Sequence, residues 1–321
     1  MWVDILLLIF GLALILLGAN WLTDGASAMA KRQGVSDLVI GLTIVAFGTS
    51  APELVISIVS AVHGSSGLAV GNVVGSNIFN ILMIIGCVAI FSPIKVNKGN
   101  MTNDIPLVVL SSLALLFCAN SVILDGSAEN IVTRSDGLLL LLFFMIFMRY
   151  TFSMVGKDNQ QSGSETVAVN MPMWKSVLLI AAGLGGLIVG GEWFVDGASG
   201  IARSLNVSDA VIGLTIVAAG TSLPELATSV VAAMKGKTDL AVGNVVGSCV
   251  FNVFLVLGVS ATIRPLSMGS IGNFDLLTLT FASLLFWFFG WQIKSRTITR
   301  FEGVLLVAFY VAYTAILVSK A

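Results

Sequence analysis

GLTIVAFGTSAPE at Gly41–Glu53 returns as GLTIVAAGTSLPE at Gly213–Glu225, 172 residues later. The same offset joins LAVGNVVGSNIFN (Leu68–Asn80) to LAVGNVVGSCVFN (Leu240–Asn252). Across Gly18–Gly86 and Gly190–Gly258, 40 of 69 ungapped positions are identical, so the chain is a duplication with similar folds in its two halves. Each copy sets one glutamate beside a proline inside an otherwise apolar stretch. A charge at the centre of a membrane helix costs about 2.5–3.5 kcal/mol on insertion scales. Two such charges call for compensation.

Composition supplies the membrane. The 321 residues are 57% hydrophobic and 10% charged, with a mean hydropathy of +1.00, where a soluble domain carries about 25% charged residues. A net charge of −1 and the lack of a basic patch argue against a nucleic-acid partner. Cys87, Cys118 and Cys249 lie in apolar surroundings without metal-ligand spacing and read as small hydrophobes. The N-terminal stretch has no basic region before its apolar run, and GANWLTDGAS at 18–27 matches GGEWFVDGAS at 190–199. It is therefore expected to remain as the first helix.

Apolar runs near 2–22, 36–61, 68–91, 105–124 and 135–153 are followed by runs near 174–195, 208–233, 240–263, 275–292 and 301–318. This predicts an all-α integral membrane protein of ten transmembrane helices: residues 1–153 form one five-helix repeat and 174–321 the other, with a polar linker at 154–173. The repeated motifs occupy 41–80 and 213–252. Loops after the odd-numbered spans hold 12 of the 16 lysines and arginines, which places those loops and the linker in the cytoplasm and both termini outside. An odd number of spans per repeat makes the second copy enter from the opposite face. Inverted repeats with a midplane site are a secondary-transporter architecture.

The glutamates, Glu53 and Glu225, have no lysine or arginine within any span core to pair with. The bland alternative is that both are protonated and merely hydrogen-bonded; a bound cation, or a proton exchanging with one, is the reading favoured here. Pro52 and Pro224 cannot donate to the carbonyls of Gly48 and Gly220, which loosens the turn and frees carbonyl oxygens. Thr49 and Thr221 precede the glutamates by four residues, one helical turn. Hydroxyl, carbonyl and carboxylate make an oxygen set of the kind that hard cations such as Ca2+ select. Ser76 with Asn80, and Ser248 with Asn252, share faces of the following helices and are read as further ligands, with interhelical hydrogen bonding as the alternative. The glycine pairs Gly71/Gly75 and Gly243/Gly247 read as packing that brings the second and third spans of each repeat together. Asp24 and Asp196 read as helix caps, as do Ser36–Asp37 and Ser208–Asp209.

The paired GTSxPE and GNVVGSxxxN motifs resemble the two alpha-repeats of the calcium/cation antiporter superfamily, in its sodium/calcium exchanger branch of prokaryotic type. The resemblance covers nearly the whole chain. It implies Ca2+ alternating with Na+ at Glu53 and Glu225, with Thr49, Thr221 and the backbone carbonyls of Ala46 and Ala218 as further ligands. It also carries over Ser76, Asn80, Ser248 and Asn252, with Ser50 and Ser222 as adjacent polar candidates. Potassium-dependent relatives have aspartate where this chain has Asn252, so K+ co-transport is not implied. The short linker has no room for the large calcium-sensing domain of animal exchangers. The expected function is Ca2+/Na+ antiport across the plasma (inner) membrane, with no cofactor and with the lipid bilayer as the other partner. The rivals are an H+/Ca2+ antiporter built on the same glutamates and, with less support, a cation channel. An intramembrane enzyme is disfavoured, since the single histidine, His63, lies outside the spans with no nucleophile beside it.

Overall fold

The structure is a computed structural model and describes residues 2–96, 100–161, 171–205, 218–291 and 297–320. In chain order its main helices are α1 (Trp2–Gln33), α2 (Asp37–Thr49), α3 (Ala51–Val62), α4 (Ser66–Phe91), α5 (Thr102–Cys118), α6 (Arg134–Met154), α7 (Met173–Ser204), α8 (Leu223–Met234), α9 (Thr238–Ile263), α10 (Asn273–Trp291) and α11 (Arg300–Ser319). Among the described residues, seven of these are long and apolar enough to cross a membrane unaided: α1, α4, α6, α7, α9, α10 and α11. The α2–α3 pair qualifies together but is bent by 46°, and α5 and α8 are shorter apolar helices. The expected start of the seventh span, at 208–217, and the middle of the linker lie outside the described residues, as does the Ser208–Asp209 cap.

Two helices run further than their hydropathy suggests. The run near 2–22 continues to Gln33, and that near 174–195 continues to Ser204. The extension of α1 is made of small residues: Thr23, Ala26, Ser27 and Ala30 are buried, so close packing holds a segment that is not strongly hydrophobic. Asp24 is consequently two turns inside α1 rather than at a cap. It pairs instead with Lys235 after α8, at 2.8 Å, and more loosely with Lys237 at 3.9 Å. Burial pushes the Lys237 ammonium down, opposed by Asp24 and Asp37. Asp24 is half exposed, so this contact sets where the loop after α8 rests on α1 more than it stabilises the fold. Ser36 does act as a cap, accepting from the Val39 amide at 3.4 Å.

The α1–α7 packing is antiparallel and built on glycine. A Cβ on Gly11 would meet the Gly190 carbonyl at 2.8 Å, one on Gly18 the Gly183 carbonyl at 2.7 Å, and one on Gly25 the Ser176 carbonyl at 2.8 Å. A Cβ on Gly197 would meet the Asp4 carbonyl at 2.5 Å. Contact positions thus rise by seven on α1 as they fall by seven on α7. A seven-residue spacing keeps one seam facing its partner, and glycine lets the backbones touch. Each contact has an exchanged partner at the 172-residue offset: Gly18 meets Gly183, the repeat mate of Gly11, while Gly11 meets Gly190, the mate of Gly18.

The short strands also join the two halves. β1 (Ile94–Lys95) pairs antiparallel with β4 (Thr297–Ile298), and β2 (Ile131–Val132) with β3 (Leu266–Ser267). The offset carries β1 onto β3. Each ribbon therefore ties one half of the chain to the other.

At the centre lie α4 and α9, almost wholly buried. Gly243 and Gly247 correct the expected glycine packing. They seat α9 against α2 of the other half, where a Cβ on Gly243 would meet the Leu38 carbonyl at 2.5 Å and one on Gly247 the Ala46 side chain at 2.6 Å. The glycines thus join the halves rather than neighbouring spans of one repeat, because α2 and α9 are the elements that must meet for the two motifs to converge.

Replacing Gly18 or Gly183 by leucine forces a side chain into backbone at under 3 Å and should cost about 1–3 kcal/mol of overpacking strain. Gly185→Leu, on the face of α7 where an added Cβ meets nothing within 4 Å, is the control. Thermal unfolding of the purified protein, followed by size-exclusion chromatography, should give a lower midpoint for the first two and a near-unchanged one for the third. Equal midpoints would show that the seam is not close-packed.

Candidate cation site

The helix carrying Glu53 is interrupted just before it. α2 ends at Thr49, Ser50 takes φ −83° and ψ 6°, and α3 begins at Ala51 with Pro52 in its first turn. Proline fits there because its missing amide hydrogen would have no intrahelical acceptor. The second copy breaks in the same way at Thr221–Ser222, with Pro224 in the first turn of α8. Thr49 and Glu53 therefore do not share one continuous helical face as their spacing predicts. The bend turns the two segments toward each other and leaves both glutamates in the first turns of α3 and α8, where the helix dipole favours a carboxylate.

Glu53 and Glu225 are fully buried. Each accepts a hydrogen bond from the serine of the other copy: Ser222 Oγ donates to Glu53 Oε1 at 3.2 Å, and Ser50 Oγ donates to Glu225 Oε1 at 3.0 Å. Ser76 Oγ reaches Glu53 Oε1 at 3.5 Å. Thr221 lies beside the Glu53 carboxylate and Thr49 beside that of Glu225. The second oxygen of each, Glu53 Oε2 and Glu225 Oε2, is buried with no hydrogen-bond partner among the described residues.

Ser76, Asn80, Ser248 and Asn252 are all buried. Ser248 Oγ, Asn252 Oδ1 and both amide atoms of Asn80 have no hydrogen-bond partner among the described residues. Asn80 and Asn252 lie where α4 and α9 widen to a π-helical pitch, over Phe79–Ile84 and Phe251–Leu257. Such π segments are enriched at functional sites because they shift side chains out of α register. The Ala46 carbonyl accepts from the Ser50 amide at 3.0 Å, and Ala218 opens the short helix Ala218–Gly220 ahead of the second break. Buried polar atoms ordinarily find partners. Unpartnered acidic, hydroxyl and amide oxygens on the broken helices and on α4 and α9 have the chemistry that a dehydrated hard cation selects.

Sequence reasoning missed the residues that hold this group in place. Asn72 Nδ2 donates to the Glu53 carbonyl at 3.3 Å and to Ser57 Oγ at 3.1 Å. Its repeat mate Asn244 donates to the Glu225 carbonyl at 3.4 Å and to Ser229 Oγ at 3.0 Å, and its Oδ1 accepts from Thr49 Oγ1 at 3.2 Å. Asn244 thus fixes the threonine of one copy and the glutamate segment of the other. Both asparagines stand in the GNVVG element, and Ser57 and Ser229 follow the glutamates by one turn in both copies, so an identical polar residue facing the site was legible in the repeat itself.

Residues 3–153 and 175–319 match the sodium/calcium exchanger protein family model. The chain is 36% identical over 329 residues to the putative antiporter CaxA of Alkalimonas amylolytica, covering all of both chains. It is 33% identical over 350 residues to the sodium/calcium exchanger MaX1 of Methanosarcina acetivorans, covering 98% of each. Among solved structures, the sodium-calcium exchanger NCX_Mj soaked with 2.5 mM Na+ and 0.1 mM Ca2+ superposes with a TM-score of 0.80 at 34% identity, covering 97% of each chain. The chain is a member of the sodium/calcium exchanger family.

Proposed function

We propose that this protein exchanges Ca2+ for Na+ across a membrane by alternating access at the Glu53–Glu225 site. The observation that carries the proposal is the pair of fully buried carboxylates, each with one oxygen left without a hydrogen-bond partner among the described residues and each bound by the serine of the other repeat. Two carboxylates offer two negative charges, which one Ca2+ neutralises. Thr49, Thr221, Ser50, Ser222, Ser76, Asn80, Ser248, Asn252 and the carbonyls of Ala46 and Ala218 would complete the oxygen shell. Several Na+ ions spread over the same oxygens compete with Ca2+ for the glutamates. Shared ligands make loading of the two ions mutually exclusive, which is the condition for exchange rather than independent leak.

The ten-span reading treats the bent α2–α3 pair and the short α5 and α8, with the segment ahead of α8, as parts of complete spans. The exchanged α1–α7 contacts support inverted halves, since elements related by the repeat meet there antiparallel. Taken with the lysine and arginine distribution, the proposed topology has both termini outside and the linker in the cytoplasm. The α1–α7 pair, sealed by its glycine seam, is the natural unit to move as one body against the remaining helices, exposing the site to each side in turn.

Proteoliposomes loaded with Na+ should take up 45Ca2+ when diluted into Na+-free medium, in the presence of a protonophore. Glu53→Gln and Glu225→Gln should each abolish that uptake while the protein still elutes as a folded species. Uptake that ignores Na+ and follows a pH gradient would assign proton coupling instead, and single-channel currents without a counter-ion would assign a channel. Asn72→Ala and Asn244→Ala leave buried partners unsatisfied, at about 1–3 kcal/mol each. Both should weaken apparent Ca2+ affinity while retaining exchange; wild-type affinity would limit these asparagines to helix packing.

A further inference from the structure

The two copies of the motif differ beside the amide ligands: Asn77 in the first repeat has Cys249 as its counterpart 172 residues later. Asn77 Nδ2 donates to the backbone carbonyl of Cys249 at 3.1 Å, and Asn77 Oδ1 accepts from Asn252 Nδ2 at 3.1 Å. Asn77, Cys249 and Asn252 are fully buried. A backbone carbonyl can only accept, so Asn77 must present its NH2 group to Cys249. Its oxygen then faces Asn252, which must answer with its own NH2 group. The carbonyl therefore sets the orientation of two successive amides, and Asn252 Oδ1 is left over, buried and without a hydrogen-bond partner among the described residues. A carboxamide held in this way offers a cation an oxygen and cannot turn its nitrogen toward it.

Asn80 is the repeat mate of Asn252, both its amide atoms are without a hydrogen-bond partner among the described residues, and the repeat mate of Asn77 on its side is Cys249. A thiol is both a weak donor and a weak acceptor, so it tolerates either orientation of the neighbouring amide. We infer that Asn77 is a positioning residue that locks Asn252 as a preorganised cation ligand, and that Cys249 leaves Asn80 an adaptable one. The two halves of the site are then unequal in stiffness although nearly equal in composition. A fixed oxygen reduces the ordering cost of binding, whereas an adaptable one can follow ions of different number and charge. This inference rests on the reading of Asn80 and Asn252 as ligands.

The test is equilibrium 45Ca2+ binding to purified protein, together with KM and Vmax for Na+-driven Ca2+ uptake. N77C should raise the Ca2+ dissociation constant and KM roughly three- to tenfold, the scale of one orienting hydrogen bond, with Vmax changed less than twofold. N252A should then cost less in the N77C background than in the wild type, because the amide it removes is no longer oriented. C249N extends the chain of amides to the other half and should tighten Ca2+ binding, and N77C/C249N should recover much of the affinity lost in N77C by moving the fixed amide to Asn80. Strictly additive N77C and N252A effects, or wild-type affinity in N77C, would overturn the inference. If N77C does not fold, unchanged affinity in both C249N and N77C/C249N overturns it equally. Failure of the ligand reading looks different: E53Q and N252A would then bind Ca2+ as well as wild type.

Discussion

A carboxylate transferred from water to a low-dielectric interior loses hydration that two or three neutral hydrogen bonds do not replace. Glu53 and Glu225 carry that cost twice over, and together, since each also lies in the field of the other. Much of the core follows from reducing it. The helix breaks at Ser50 and Ser222 put both acids at helix N-termini, where exposed amide hydrogens and the dipole oppose the penalty. The cross-repeat serine bonds supply one donor to each carboxylate. What remains uncompensated is one oxygen on each acid, and a mobile cation is the compensation that can also leave. A fixed arginine could neutralise the charge but, on the proposed function, could not leave.

The duplication explains why the compensation is shared between halves. In a structure whose repeats are related by an approximate two-fold axis, a residue near the axis meets the mate of its neighbour rather than its own neighbour. Ser50 bonds Glu225 and Ser222 bonds Glu53; Gly18 meets Gly183 and Gly11 meets Gly190. Neither half can build the site alone, because each supplies the carboxylate that the other's serine satisfies. The glycines at 243 and 247 serve the same end at the level of backbone, letting α9 come close enough to α2 for Asn244 to reach Thr49. Packing and hydrogen bonding are therefore one constraint: a Cβ at either glycine would separate Asn244 from Thr49 as well as the helices.

Much of this was legible in the residues. The repeat, the paired glutamates, the proline beside each and the Ser/Asn faces of the following helices identify both the membrane class and the group of side chains that converges. Helix ends were less legible, because small residues such as Ala26, Ser27 and Ala30 continue a helix through packing that hydropathy does not register. The Thr49–Glu53 turn read as one helical face because a proline's effect on direction depends on what stabilises the bend, and here that includes contacts 175 residues away. Asn72 and Asn244 were read only as letters of a motif. Their role requires knowing that the adjacent helix brings an amide donor to the Glu53 or Glu225 carbonyl.

The Asn77/Cys249 position, where the repeats part beside the two candidate amides, follows the same logic of donors and acceptors. Amide orientation is a binary variable, and a backbone carbonyl resolves it for Asn77 and, through Asn77, for Asn252. The chain of reasoning stops at Cys249, since a thiol forces neither choice on Asn80. On the proposed exchange, a site holding one doubly charged ion in one half-cycle and several singly charged ions in the other would not be optimal for both with every ligand rigid. In that reading, rigidity on α9 and latitude on α4 would divide those demands between two asparagines that the duplication first made alike.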